Sequence, residues 1–189
     1  DGEPLYEDHP NCFKPEELGH SIPEDIRRIM YWNVFAGAFG QSYGCHAVWQ
    51  MFTAEREGIN LPLRPWKVAL DLPMATQVQH LKNLMLSRPY LTRVPDQLMV
   101  VDTQVDDESY VIATRDQEGS YAMIYIPTGK EVTLNTSILK SKTLKCSWYD
   151  PRTGAWFDAG IVSSSPSFTY TAPSTGGKGH DWVMVLDAM

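Results

Sequence analysis

Two stretches in the first half of the chain carry a helical rhythm. After Ser21-Ile22-Pro23-Glu24, which has capping-box spacing with a proline tolerated in the first turn, Ile26, Ile29, Met30 and Asn33 recur at helical intervals. This pattern predicts a helix from Pro23 to Ala36, ended by Gly37. A short strand is expected at Gln41–Cys45 and a proline-punctuated loop at Asn60–Pro65. A second helix is expected over Asp71–Leu86, where Ala75, Val78, Leu81, Leu84 and Met85 make one apolar stripe that Arg88-Pro89 stops.

From Val94 onward the helical period disappears and short β-rich segments alternate with turns. Strands are expected at Leu98–Val101, Tyr110–Arg115, Tyr121–Ile126, Glu131–Leu134, Leu144–Tyr149, Ala155–Gly160, Ser167–Thr171 and Trp182–Leu186. Asp116-Gln117-Glu118-Gly119, Pro127-Thr128-Gly129 and Asp150-Pro151-Arg152-Thr153-Gly154 read as hairpin connections, each with a glycine where positive φ is needed. Strands at such spacing suggest an antiparallel β-sandwich. The fold class is therefore α/β plus all-β, with residues 1–92 and 93–189 as the two domains and Leu91–Pro95 as the hinge. The first half poses a problem, because a strand–helix–strand–helix order implies a parallel sheet, and two strands are too few to make one.

Composition narrows the function. An apolar fraction of 43% and a charged fraction of 21% describe a folded globular chain. The net charge of −7, with no Lys/Arg cluster, argues against nucleic acid. Cys12, Cys45 and Cys146 lack metal or disulfide-framework spacing. No apolar run is long enough for a membrane span, and no signal-peptide pattern opens the sequence.

Candidate chemistry concentrates in two places. In an extended strand Glu3 and Glu7 would share a face, although Pro4 disturbs that geometry; they read either as a nucleophile or general base at a strand end, or as a solvated acidic terminus. The stretch Gly37 to Gln50 combines flat apolar faces with hydrogen-bonding tips in Tyr43, His46, Trp49 and Gln50, a mixture that suits sugars. The same His46 and Trp49 read equally well as structural residues. His9, His20, His80 and His180 show no metal-ligand spacing, and Asp106-Asp107-Glu108 reads as a solvated loop, so neither a metal nor a cofactor is expected. Trp148, Trp156 and Trp182 form either a ligand face or core.

Taken in order, "DGEPLYED", "YWNVFAGAFGQSYGCHAVWQ", "PWKVALDLP" with "RPYLTRVPDQ", "ATRDQEGSYAMIYIPTGK" and "WYDPRTGAWFDAG…DWVMVLD" resemble the C-terminal part of the apiosidase-like glycoside hydrolases. Those proteins have a (β/α)8 barrel followed by a small β-sandwich of the collagen-binding type. The resemblance implies that residues 1–92 are the last two βα units of the barrel, with Asp1–Glu7 at the end of strand seven and Gln41–Cys45 as strand eight. It implies a retaining mechanism with Glu3 as nucleophile and Glu7 as second choice. Tyr43 or His46 would donate a hydrogen bond to that nucleophile, Trp49 would stack under a sugar and Gln50 would bond a hydroxyl. The family's general acid/base lies on strand four, outside this sequence, so this chain alone is expected to be inactive and to need the N-terminal barrel segment as partner. The implied substrate is a plant cell-wall oligosaccharide or polysaccharide, with apiose-containing pectic side chains as a candidate, and the implied location is secreted, periplasmic or cell-surface. The alternative is a carbohydrate- or collagen-binding sandwich without activity; a third role for the sandwich is to buttress the barrel near Pro89–Pro95.

Overall fold

The computed structural model describes residues 1–189. In the first half, helices α1 (Pro15–Leu18), α2 (Pro23–Phe35), α3 (His46–Trp49), α4 (Trp66–Ala69) and α5 (Pro73–Leu86) are joined by long loops. The second half holds β1 (Arg93–Pro95), β2 (Ile112–Asp116), β3 (Tyr121–Ile126), β4 (Val132–Leu134), β5 (Thr143–Tyr149), β6 (Trp156–Ser163), β7 (Phe168–Tyr170) and β8 (Trp182–Ala188). No helix is long and apolar enough to cross a membrane.

Six strands form one antiparallel sheet in the order β1-β2-β3-β8-β5-β6, and β4 pairs with β7 in a second. The central strands β3 and β8 are buried along almost their whole length, so both faces of the large sheet are covered. Alternation along these strands sends Ala122, Ile124, Ile126, Met184 and Leu186 into a core shared with Val132 and Leu134 of β4 and Tyr170 of β7. The opposite face sends Met123, Tyr125, Val183 and Val185 against Ile26, Met30, Tyr31 and Phe35 of α2 and Met74, Leu81 and Leu84 of α5. The helices of the first half are thus a third layer on the sheet of the second.

Polar contacts lock that layer. Arg27 of α2 donates two hydrogen bonds to Asp181, from Nε at 2.7 Å and Nη2 at 2.6 Å, and its Nη1 reaches Gln77 of α5 at 2.7 Å. Tyr125 Oη also donates to Asp181, at 3.0 Å, and the Tyr125 ring stacks on Tyr31 with 4.7 Å between centroids. Arg88 forks onto Asp187 at 2.7 and 2.6 Å, and Tyr149 Oη donates to the His80 carbonyl at 2.8 Å. Gly154 has φ of +72°, and a Cβ there would stand 2.7 Å from His80 Nδ1, so turn and interface both require glycine.

Several expectations are corrected. Leu98–Val101 is not a strand: Asp96 Oδ1 accepts from the Leu98 amide and a 3-10 turn forms over Gln97–Met99. Leu91–Pro95 is not a hinge, because Arg93–Pro95 pairs with Thr114–Asp116 as β1. Gln41–Cys45 is not a continuous strand. Instead, two parallel rungs join residues 1–7 to residues 40–46. Asp1 donates to the Gly40 carbonyl at 2.9 Å and accepts from the Ser42 amide at 3.1 Å. Glu7 donates to the Gly44 carbonyl at 2.9 Å and accepts from the His46 amide at 2.9 Å. The rungs sit six residues apart on one side (Asp1 to Glu7) and four on the other (Gln41 to Cys45), so the first segment bulges between them, around Pro4, which has no N–H to give.

The Arg27–Asp181 pair is buried on both sides, and its removal from one side strands a charge. Asp181→Ala is expected to cost about 3–5 kcal/mol. Urea unfolding followed by far-UV circular dichroism checks this, and helix and strand signals should disappear in one transition because they share a core.

Candidate active site

Pro4 and the rung geometry place Glu3 in the bulge between the two parallel rungs. It is exposed, and its amide donates to Asp1 Oδ1 at 3.2 Å. Glu7 is fully buried and both of its carboxylate oxygens are engaged. Oε2 accepts from Tyr43 Oη at 2.7 Å, and Oε1 accepts from the Met74 amide at 3.4 Å, one of the free donors in the first turn of α5. Burial raises the Glu7 carboxyl above the usual carboxylate range, against the lowering effect of the Tyr43 and Met74 bonds. An acid so enclosed offers no free oxygen to an anomeric carbon. It ties residues 1–7 to α5 and Tyr43, and this enclosure sets it apart from the exposed Glu3, the first choice of nucleophile.

Tyr43 and His46 are likewise not donors to Glu3. Tyr43 donates its hydroxyl hydrogen bond to Glu7, and burial raises its own pKa well above the usual value, so the proton stays on the phenol. The way is cleared by Gly44: a Cβ there would stand 2.5 Å from the Tyr6 ring. His46 is buried at the start of α3. Trp49 Nε1 donates to its Nδ1 at 3.3 Å, so the proton sits on Nε2, which donates to the Ile59 carbonyl at 2.9 Å. Burial lowers the His46 pKa, which keeps the ring neutral.

Gln50 spends its amide on backbone: Oε1 accepts from the Ile59 amide at 2.8 Å, and Nε2 donates to the His46 carbonyl at 3.1 Å and the Ile59 carbonyl at 3.2 Å. It staples the loop that follows α3 and is not free for a sugar hydroxyl. Trp49 differs, because half of its surface is exposed while its indole N–H is fixed. Glu3 and Trp49 are therefore the predicted residues that remain open to a ligand, whereas Glu7, Tyr43, His46 and Gln50 form the frame.

Two further contacts around the site carry no sequence signal. Arg64 Nε lies 2.7 Å from Asp8 Oδ2 and ties the loop after the first rung strand to the loop after α3. His9 packs edge-on between Phe13 and His46, with centroids 5.1 and 4.9 Å away. No group of three His, Cys, Asp or Glu is arranged to hold a metal ion. Of the three second-half tryptophans, Trp148 and Trp182 are core, and only Trp156 is half-exposed, with the Arg88 guanidinium 5.0 Å from its ring.

The comparisons with known proteins agree with this architecture. Residues 1–92 match the family described as "Apiosidase-like, catalytic domain", and residues 94–187 match the "Putative collagen-binding domain of a collagenase". A solved "Glycoside hydrolase" is 31% identical with a TM-score of 0.93, and covers 100% of this chain and 42% of its own. A glycoside hydrolase family 5 structure from Bacteroides vulgatus ATCC 8482 is 30% identical, also at 0.93, with 100% and 41% covered. No curated protein matches. The chain spans about two fifths of the length of these solved relatives. The class to which these solved relatives belong is glycoside hydrolase. Residues 1–92 align with the apiosidase-like catalytic domain of that class, and residues 94–187 with the collagen-binding-type domain.

The Glu7 frame has a pH signature. Because the folded carboxyl holds its proton to higher pH than the unfolded one, its contribution to stability is full below the unfolded pKa and is lost as pH rises through the raised folded value. In Glu7→Gln the amide oxygen accepts from the Met74 amide while the NH2 donates to Tyr43 Oη, so both contacts persist, one of them reversed, without the buried charge. Denaturation of both proteins between about pH 4 and pH 7 should show the wild type losing ground to the variant as pH rises.

Proposed function

We propose that residues 1–92 are the last two βα units of a (β/α)8 barrel in a retaining glycoside hydrolase, with Glu3 as its nucleophile. The observation that carries this reading is the pair of parallel rungs: a parallel ladder needs a crossover connection, which α2 provides, and Glu3 lies exposed in the bulge before the Glu7 rung, on the segment whose C-terminal end is where barrel enzymes keep reactive groups. The 31% identical glycoside hydrolase supports it. An apolar groove of about 530 Å³ supports it as well. The groove is lined by Met30, Val34, Phe39, Tyr43, Leu81 and Met85, and the Gln41 amide nitrogen nearby is buried without a partner. The rest of the barrel is the natural cover for that surface.

In this mechanism the Glu3 carboxylate attacks the anomeric carbon while a second carboxylic acid, on another barrel strand, protonates the leaving oxygen. The covalent glycosyl–Glu3 ester is then hydrolysed by water that the second group deprotonates, and retaining enzymes hold the two carboxyls about 5–5.5 Å apart. The second acid is not among residues 1–189, so this chain without the preceding barrel is inactive. Trp49 offers its exposed face to a sugar ring. The substrate is a plant cell-wall glycan, with apiose-containing pectic side chains as first choice, and the enzyme works outside the cytoplasm. The large sheet buttresses the barrel by holding α2 and α5. A binding-module role for the β half is disfavoured, since Trp148 and Trp182 are core and the exposed aromatics Trp156, Phe157 and Phe168 are divided between two sheets.

In the full-length protein Glu3→Gln should lower kcat on pectic side-chain oligosaccharides by about 10³-fold or more, with an unchanged circular dichroism spectrum. Glu7→Gln should keep turnover. Undiminished turnover by the Glu3 variant removes the nucleophile assignment.

A further inference from the structure

All six non-glycine residues with positive φ lie in the two loops that follow the parallel rungs: Asp8, Cys12, Phe13, Met51, Asn60 and Leu61. Sparsely populated backbone of this kind survives where surrounding contacts over-determine it, and it gathers at ligand sites. Three of the six, Phe13 at +59°, Asn60 at +52° and Leu61 at +49°, line one cleft of about 270 Å³ between the loops, together with Lys14, Glu16 and Glu17. The two loops are fastened to each other by the Asp8–Arg64 ion pair and by His20 Nε2 against the Leu61 carbonyl at 3.1 Å.

Phe13 is 66% exposed, yet its ring is held edge-on by His9, which in turn packs on His46. A large aromatic kept in water on a built loop, with carboxylates and a side-chain amide beside it, presents a flat apolar face to ring C–H groups and acceptors and donors to hydroxyls. We propose that this cleft is a subsite for a neutral sugar ring, with Phe13 as its stacking platform. Neutrality follows from the charges: Lys14 is paired with Glu17 at 3.3 Å, which leaves Glu16 to repel a uronate carboxylate. The proposal rests on the reading that substrate reaches Glu3 on this side of the strand ends. It deepens that reading by making the substrate an oligomer whose more distant unit, the one seated at Phe13, carries no acid.

The test uses the full-length protein with Glu3→Gln to suppress turnover, and titration calorimetry with neutral arabino-, galacto- and xylo-oligosaccharides and with oligogalacturonate. At least one neutral series should bind more tightly than oligogalacturonate. Adding Phe13→Ala should weaken that binding about tenfold, and Phe13→Trp should restore it. Unchanged affinity in the alanine protein, tighter binding of oligogalacturonate, or no binding of any neutral series overturns the subsite. Undiminished turnover by the Glu3→Gln parent is a separate result: it removes the nucleophile assignment and leaves the comparison at Phe13 standing.

Discussion

A guanidinium and a carboxylate removed from water hold this molecule together. Arg27 and Asp181 are separated by 154 positions, have almost no side-chain exposure, and meet through two hydrogen bonds of 2.7 and 2.6 Å. Burying either charge alone is strongly unfavourable, so each specifies the other's location. Tyr125 and Gln77 complete the shell, and around it α2 and α5 close over the sheet. The family boundary between residues 92 and 94 therefore runs through a single packed body.

A second buried acid repeats the device on a smaller scale. Glu7 joins the Tyr43 hydroxyl to the first turn of α5, so the helix that packs on the sheet also positions the end of the parallel rungs. The frame thus runs from Asp181 through α2 and α5 to Glu7, and leaves Glu3 and Trp49 at its open end. Strain is stored further out, in the loops around Phe13 and Asn60, where left-handed backbone holds side chains outward. This division of rigid support and exposed loop is how βα scaffolds commonly carry chemistry.

Legibility differed by element. The two main helices lie at Pro23–Phe35 and Pro73–Leu86, close to their expected ranges, because proline at the first turn and apolar spacing are local properties. The buried face of α2 was less legible: Arg27, Tyr31 and Phe35 are buried where Ile29 and Asn33 were expected. A charged residue enters a core face only when a distant partner waits there, and nothing near Arg27 in the chain announces Asp181. Asp96 likewise turned an apolar run into a 3-10 turn by capping its first free amide.

The sequence by itself determined the two long helices, that the second half is antiparallel β, and that residue types suited to sugars gather between Gly37 and Gln50, since these depend on neighbours a few positions away. Only the tertiary structure decided that the halves share a core, that Glu7, Tyr43, His46 and Gln50 spend their polar groups on protein partners, and that Glu3 is exposed and Trp49 half-exposed. The reason is that a polar group's role depends on whether a partner or water satisfies it. For these residues the partner is set by packing: Met74 lies 67 positions from the Glu7 that caps its amide, and Arg64 reaches back across the loops to Asp8.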